Sequence, residues 1–168
     1  MMTPVDPRDF RQVMGLFATG VTVVVTTIDG EPRAMTANAI TSVSLDPLLV
    51  LVCINNQFPM VEYIQQTQCF SISILREDQE PLSNYFAHLW KEPIPPPYQF
   101  AQWDGGLCLE GCIAALGCVL YGIYDGGDHQ IVVARVMALY KGEQPYRPLL
   151  FYSGRYERLA VPPPAAQS

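Results

Sequence analysis

Five uncharged hydrogen-bonding side chains, Thr36, Asn38, Thr41, Ser42 and Ser44, fall within nine residues of "RAMTANAITSVSLDPLLVLVCI", residues 33 to 54. Hydroxyls and amides donate and accept hydrogen bonds without carrying net charge. That mixture along one edge suits a planar heterocycle rimmed with carbonyls and ring nitrogens. The small neighbours Ala37 and Ala39 let the backbone approach such a ring and offer its own N–H groups. The same spacing also fits an edge strand whose Thr and Ser side chains simply face water. The residues alone leave both readings open.

His129 follows the turn "DGGD" (125 to 128). It is either an exposed first strand residue or a ligand contact at a barrel mouth, where an imidazole can stack or hydrogen-bond. His88, on a presumed helix beside Trp90, reads as a surface histidine. There is no GxSxG elbow, and no cysteine is set beside a histidine in a recognisable pattern. The acidic cluster "EDQE" (77 to 80) reads as a solvated helix start. Cys53, Cys69, Cys108, Cys112 and Cys118 are odd in number and sit in apolar stretches, as reduced, buried thiols of a cytoplasmic protein would. They lack a CxxC pair, and with two histidines they make no closed four-ligand site, so no metal is expected. Few titratable core residues beside a polar groove suit a cofactor that carries the chemistry itself.

The elements that position these residues can be read next. In "VDPRDFRQVMGLFATG", Asp6 can cap, Pro7 fits the first turn, and Phe10, Val13, Met14 and Phe17 predict one buried helical face. "VTVVVTT" (21 to 27) is a β-branched strand ending in a "DG" turn at Asp29-Gly30. "LLVLVCI" (48 to 54) is apolar on both faces, as a central strand would be. "CFSISIL" (69 to 75) alternates, predicting Phe70, Ile72 and Ile74 in the core and Ser71 and Ser73 away from it. "FPMVEYIQQ" predicts a short helix, as does "EDQEPLSNYFAHLW", with Asp78 as its cap. "WKEPIPPPYQF" (90 to 100) carries four prolines and predicts an extended crossing or a flap over a site. The stretch after it reads as a long hairpin around "DGGD", and "LLFYSGRYERL" as a last strand and bend.

Many strands, few short helices and no βα alternation argue for a mainly β, antiparallel barrel. There is no GxGxxG and no GxxxxGK[ST], so any nucleotide is bound without those devices. The 168 residues predict one domain with a core over about 8–159 and a flexible tail at 160–168. Hydrophobic residues make up 49% and charged residues 15%, which leaves little charged surface and points to a homodimer. A net charge of −6 without a basic cluster argues against nucleic acid. The N-terminus is too polar for a signal peptide, and no apolar run approaches the roughly 20 residues of a membrane span.

Four segments, in order and spacing, carry a resemblance: "FATGVTVVVTT", "MTANAITSVSLDPLLVLVCIN", "FSISIL" with "LSNYFA", and "GDHQIVVARV". Together with "PLLFYSGRYERL" they resemble the flavin reductase-like family of FMN-binding split barrels, over roughly residues 8 to 159. That family includes the reductase components of two-component flavin-dependent monooxygenases. The resemblance implies an antiparallel Greek-key split β-barrel with a few short helices, working as a homodimer. It implies an NAD(P)H:flavin oxidoreductase that passes hydride to N5 of FMN, or of FAD, and can supply reduced flavin to a monooxygenase. The alternative is an FMN-binding electron-transfer protein without a pyridine nucleotide site of its own.

Residue by residue, the resemblance places Met35, Thr36, Ala37, Asn38, Thr41, Ser42, Val43 and Ser44 along the flavin. Asn55, Asn56 and Phe58 belong to a loop expected to close round its phosphate end, and Ser83 and Phe86 lie near it. His129 matches a position associated with the nicotinamide nucleotide, NADH or NADPH. No protein acid or base is implied. Ala39 stands where the family commonly has Ser, Ala134 where Gly is usual, and the prolines of 93 to 97 fall outside the pattern.

Overall fold

The computed structural model describes residues 4–160. The expected flexible tail, 160–168, lies outside the described residues apart from Ala160.

Asp6 accepts a hydrogen bond from the Arg8 amide at 2.7 Å, and Pro7 opens helix α1 (Pro7–Gly15), as the capping pattern predicts. Its apolar stripe is not buried. Phe10, Val13, Met14, Leu16 and Phe17 are all exposed, none below 51%. The spacing correctly forms a helix with an apolar side, but among the described residues no other element covers that side.

Two residues of β1 (Thr19–Gly20) lead into β2 (Thr22–Ile28), whose first five residues are buried. Asp29 and Gly30, both at positive φ (52° and 81°), turn the chain into β3 (Glu31–Ala37). Two central residues at positive φ match the twist of a tight hairpin, which is why "DG" serves here. After Asn38 and Ala39 come β4 (Ile40–Leu45), β5 (Leu48–Asn55) and helix α2 (Met60–Thr67). β6 (Cys69–Ile74) and α3 (Glu80–Phe86) follow, then the hairpin of β7 (Phe100–Trp103) and β8 (Gly106–Leu109). The long hairpin is β9 (Ala114–Asp125) with β10 (His129–Lys141), and β11 (Leu150–Tyr152) with β12 (Arg155–Glu157) closes the chain.

Seven strands form one antiparallel sheet in the order β3-β2-β6-β9-β10-β5-β4. Buried side chains from β2, β3, β5, β6, β9 and β10 share one core cluster with Met60, Val61 and Ile64 of α2. A sheet that buries one face on itself in this way is a barrel, and its two edges are β3 and β4. These edges are consecutive in the chain, yet they are not hydrogen-bonded to each other. The barrel is therefore split at Asn38 and Ala39. A second cluster, with Val21, Val23, Leu75, Leu82, Phe86, Leu109 and Leu149, packs α3 and the smaller strands against the outside.

Three local expectations change. β5 lies between β10 and β4, but only Val50, Val52 and Ile54 are buried; Leu49, Leu51 and Cys53 are half-buried, so one face alone packs into the barrel. β6 is the strand buried on both faces. Ser71 and Ser73 are 1% and 0% exposed because the β7–β8 hairpin covers them. Their hydroxyls satisfy that hairpin's backbone, Ser71 donating to the Leu107 carbonyl and Ser73 accepting from the Leu109 amide at 3.0 Å. Asp78 does not cap α3. Its carboxylate takes two hydrogen bonds from Arg76, at 2.6 and 2.9 Å, which hold it below the usual carboxylate range.

The cysteines also divide. All five are free, but Cys69 is exposed and Cys53 half-buried, while Cys108, Cys112 and Cys118 are buried as expected. Residues 90–99 have no regular structure, in keeping with their prolines. Pro96 is nevertheless buried, and the Trp90 indole donates to the Ile94 carbonyl at 2.9 Å, which folds the segment against the body.

Candidate functional site

The polar segment occupies the split itself. β3 ends at Ala37 and β4 begins at Ile40, so Thr36 to Ser44 run from one sheet edge to the other. An edge strand leaves every second backbone N–H and C=O without a neighbouring strand. Met35 and Ala37 point into the core, Thr36 is half-buried, and Asn38, Thr41, Ser42 and Val43 are exposed. A register shift between Ser42 and Ser44 marks a bulge at Val43, which bends β4. Ser44 accepts from the Asp46 amide at 3.2 Å, so its hydroxyl serves the β4–β5 turn.

Hydrogen bonds that involve four other elements fix this seam. Thr36 donates to the Ser83 carbonyl at 2.7 Å, tying β3 to α3. Ser83, fully buried, shares a 2.8 Å hydrogen bond with the Tyr156 hydroxyl of β12. Thr22 donates to the Ala37 carbonyl at 2.6 Å. Asn38 reaches back to the Thr19 hydroxyl at 3.2 Å. Thr36, Ala37, Asn38 and Ser83 then line one cleft of about 210 Å³ with Val21, Ala87, Leu89, Phe151 and Tyr156.

A second cleft, of about 350 Å³, lies on the other side of the α3 C-terminus. It takes Met35, Phe58 and Phe86 from the predicted residues. Its other walls include Arg33, Tyr63, Tyr85, His88 and Tyr98. Neither cleft is lined by an Asp or Glu side chain.

Asn55, Asn56 and His129 come together at the far end of β5. Asn55 pairs with His129 in the ladder. The Asn56 side chain donates to the Gly127 carbonyl at 3.0 Å, its amide N–H to the Asp128 carbonyl at 3.0 Å, and Asn55 accepts from the Gln57 amide at 2.9 Å. These amides hold the loop onto the β9–β10 turn. Nδ1 of His129 donates to the Asp128 carboxylate at 2.6 Å, which keeps that carboxyl below its ordinary range and leaves Nε2 open. The predicted residues thus form three neighbouring groups rather than one enclosed pocket: the seam, the aromatic cleft and the β5–β10 end.

Tyr156 enters the site through the closing hairpin, a segment the sequence pattern contains without marking the tyrosine. Arg33, Tyr85, His88 and Tyr98 were not marked either. They lie on β3, on and just after α3, and after the proline segment, and only tertiary packing joins them.

The structure is thus a split antiparallel barrel with neutral donors along its seam and two adjoining clefts whose walls carry no carboxylate. The flavin reductase like domain model matches residues 14–160. The reductase component of 4-hydroxyphenylacetate 3-monooxygenase from Thermus thermophilus is 37% identical over 153 residues, covering 91% of this chain and 97% of its own. Among solved structures, the flavin reductase PheA2 in its native state superposes with a TM-score of 0.87 at 41% identity, over 94% of this chain and 100% of that one. The NADH:FAD oxidoreductase SgcE6 of Streptomyces globisporus, in complex with NAD and FAD fragments, gives 0.81 at 34% identity, over 99% and 100%. The chain belongs to the flavin reductase-like family.

Proposed function

We propose that the protein is an NAD(P)H-dependent flavin reductase that holds FMN or FAD along the seam between β3 and β4. The observation that carries this reading is the seam: a sheet edge opened at Asn38 and Ala39 and lined by exposed amide and hydroxyl groups. These residues fit a flavin. Small side chains at 37 and 39 let a flat ring approach, and exposed Asn38, Thr41 and Ser42 can donate to its carbonyls and accept from its ring N–H. When bound, the flavin supplies the acceptor for hydride from NADH or NADPH. The chain's own work is binding and orientation. Met35, Thr36, Ala37, Val43 and Ser44 shape the seam, and Ser83 and Phe86 brace it from α3. Asn55, Asn56 and Phe58 set the loop beside it. His129, oriented by Asp128, offers Nε2 to the nicotinamide nucleotide at the β5–β10 end.

The protein works as a homodimer in this account. The uncovered α1 stripe and the exposed Val43, Leu45, Val119, Met137 and Leu139 are the surfaces a second copy would bury. The free cysteines suit a reducing cytoplasm. No helix among the described residues is long and apolar enough to cross a membrane. Reduced flavin passes to a monooxygenase, in keeping with the kind of relative named above. The test is to add FMN or FAD to purified protein and measure oxidation of NADH and NADPH. Acceleration over free flavin supports the reading. Reduction by a partner protein alone would make the chain an electron carrier instead.

A further inference from the structure

We propose that Cys108 and Cys112 form an oxidisable thiol pair, closed to a disulfide by hydrogen peroxide, and that closure loosens α3, the helix that braces the seam.

The two thiols meet under the β7–β8 hairpin. Cys108 lies on β8 and Cys112 just past it, and both are buried in one small cluster with Ala115, packed against Ala101 and Trp103. The Cys112 thiol donates a hydrogen bond to the Cys108 sulfur, and the Ser73 hydroxyl donates to the sulfur of Cys112. A tight turn brings them together: the Cys112 amide donates to the Leu109 carbonyl at 3.2 Å, and Gly111 takes a positive φ of 76°. Cys118 is not part of the pair, because its side chain belongs to the barrel core. The Trp103 indole N–H beside the pair is buried and, among the described residues, has no hydrogen-bond partner. A buried donor without an acceptor is costly, and an oxygen carried on a neighbouring sulfur would supply one.

Burial raises both thiols, that of Cys112 to about 11, and shuts bulky reagents out. A small neutral oxidant is the kind that can enter. The hydrogen bond from Cys112 favours the Cys108 thiolate, which makes Cys108 the nucleophile. Its sulfur attacks one oxygen of hydrogen peroxide; an S–O bond forms, the O–O bond breaks, and the leaving hydroxide takes up the Cys108 proton as water. The Cys112 sulfur then attacks the Cys108 sulfur. An S–S bond forms, and the sulfenic oxygen leaves as water with the Cys112 proton. Two electrons pass from the sulfurs to the peroxide. Under the functional reading above the oxidant has a source, because reduced flavin and oxygen yield hydrogen peroxide. The thiol chemistry itself does not depend on that reading.

Closure is transmitted through the turn between the two cysteines. A disulfide holds its sulfurs about 2.05 Å apart, closer than any hydrogen-bonded pair, so residues 109–112 must draw in. The Glu110 carbonyl in that turn accepts from Nε2 of Gln79 at 2.8 Å. Gln79 is buried, precedes α3, and accepts from the Arg76 amide through Oε1 at 2.8 Å. A Cβ at Gly111 would stand 3.4 Å from the Arg76 and Gln79 side chains, so the turn packs closely on both. Pulling Glu110 away therefore releases the start of α3, and α3 presents the Ser83 carbonyl to Thr36 of the seam.

The test is peptide mapping of the full chain after treatment with hydrogen peroxide, with the remaining thiols blocked in denaturant before digestion. Cleavage after glutamate cuts at Glu110, between the two cysteines, so a disulfide leaves 93–110 and 111–143 joined until reduction. Joined peptides are expected in the wild type and in Cys118→Ala, and none in Cys112→Ala. Amide hydrogen exchange across α3 should then run about five-fold faster or more in the oxidised wild type and return on reduction. In Cys112→Ala peroxide should leave that exchange unchanged. Cysteines that stay reduced, or that end as separate sulfinic acids, overturn the proposal, and so does a joined pair with α3 exchange unmoved. The wild-type results decide the matter even if a variant fails to fold. Neither measurement needs flavin or nucleotide, so a chain without reductase activity would sink the functional reading while the thiol pair is still decided.

Discussion

Replacing Asn38 by alanine separates a ligand-binding role from a structural one. The side chain is exposed, and its one hydrogen bond among the described residues runs to the Thr19 hydroxyl at 3.2 Å, near the long end of such bonds. Removing an exposed group of this kind costs the fold at most about 0.5 kcal/mol. For a chain of this size that is a fall in Tm of no more than about 2 °C. Against a flavin carbonyl the same amide contributes about 1 kcal/mol, and up to about 3 kcal/mol where its loss leaves the partner unpaired. The expected result is a roughly 5- to 150-fold weaker flavin Kd, since each 1.4 kcal/mol is tenfold. Flavin fluorescence titration reads the Kd, and thermal unfolding without flavin reads the Tm. A Kd within two-fold of wild type would place the ring elsewhere. A Tm lowered by more than about 4 °C would make Asn38 a structural residue.

Four further outcomes test the structure. A Cβ at Gly117 would meet the Gly105 Cα at 2.4 Å and its carbonyl oxygen at 2.9 Å, both backbone atoms, so Gly117→Ala should destabilise by about 1–3 kcal/mol by urea unfolding. Burial pushes the Cys112 and Cys118 thiols up to about 11 and about 12, above the ordinary 9.0. Native packing favours the protonated thiol, so this stability is complete below pH 9 and falls as pH rises from 9 towards 12, where the unfolded chain ionises first. Cys118→Ala should flatten the decline in that window, and a profile identical to wild type would remove the argument. In native alkylation, exposed Cys69 should react first and Cys118 last, read by peptide mass mapping. Phe17→Asp should leave a monomer in sedimentation, because it puts a charge into the exposed α1 stripe; a dimer equal to wild type's would place the interface elsewhere.

Elements with a local cause were legible in the sequence. Asp6-Pro7 starts α1, Asp29-Gly30 turns β2 into β3, and the glycines of "DGGD" close the long hairpin, each through backbone preferences confined to a few residues. The period of a pattern was a poorer guide to what covers it. α1 has the spacing of a buried helix and no cover among the described residues. β6 alternates like a half-exposed strand, yet both faces are buried, because a hairpin some 35 residues later uses its serines as hydrogen-bonding partners. Asp78 had the type of a cap and was taken instead by the arginine two residues before it. In the site, the seam was legible as a polar segment, since its residues are contiguous. That it lies at the split of the barrel follows only from the strand order. The aromatic cleft as a whole was not legible, as Arg33, Tyr85, His88 and Tyr98 share no spacing with the predicted Phe58 and meet it only through β3, α3 and the end of the proline segment.

The most direct test of the account is anaerobic stopped-flow mixing of the flavin-loaded protein with NADH and, separately, NADPH. The account predicts that at least one of them bleaches the visible flavin band far faster than it does free flavin, and that His129→Ala raises the nucleotide concentration needed for half-maximal rate without changing flavin affinity. Bleaching no faster than for free flavin with either nucleotide would contradict it.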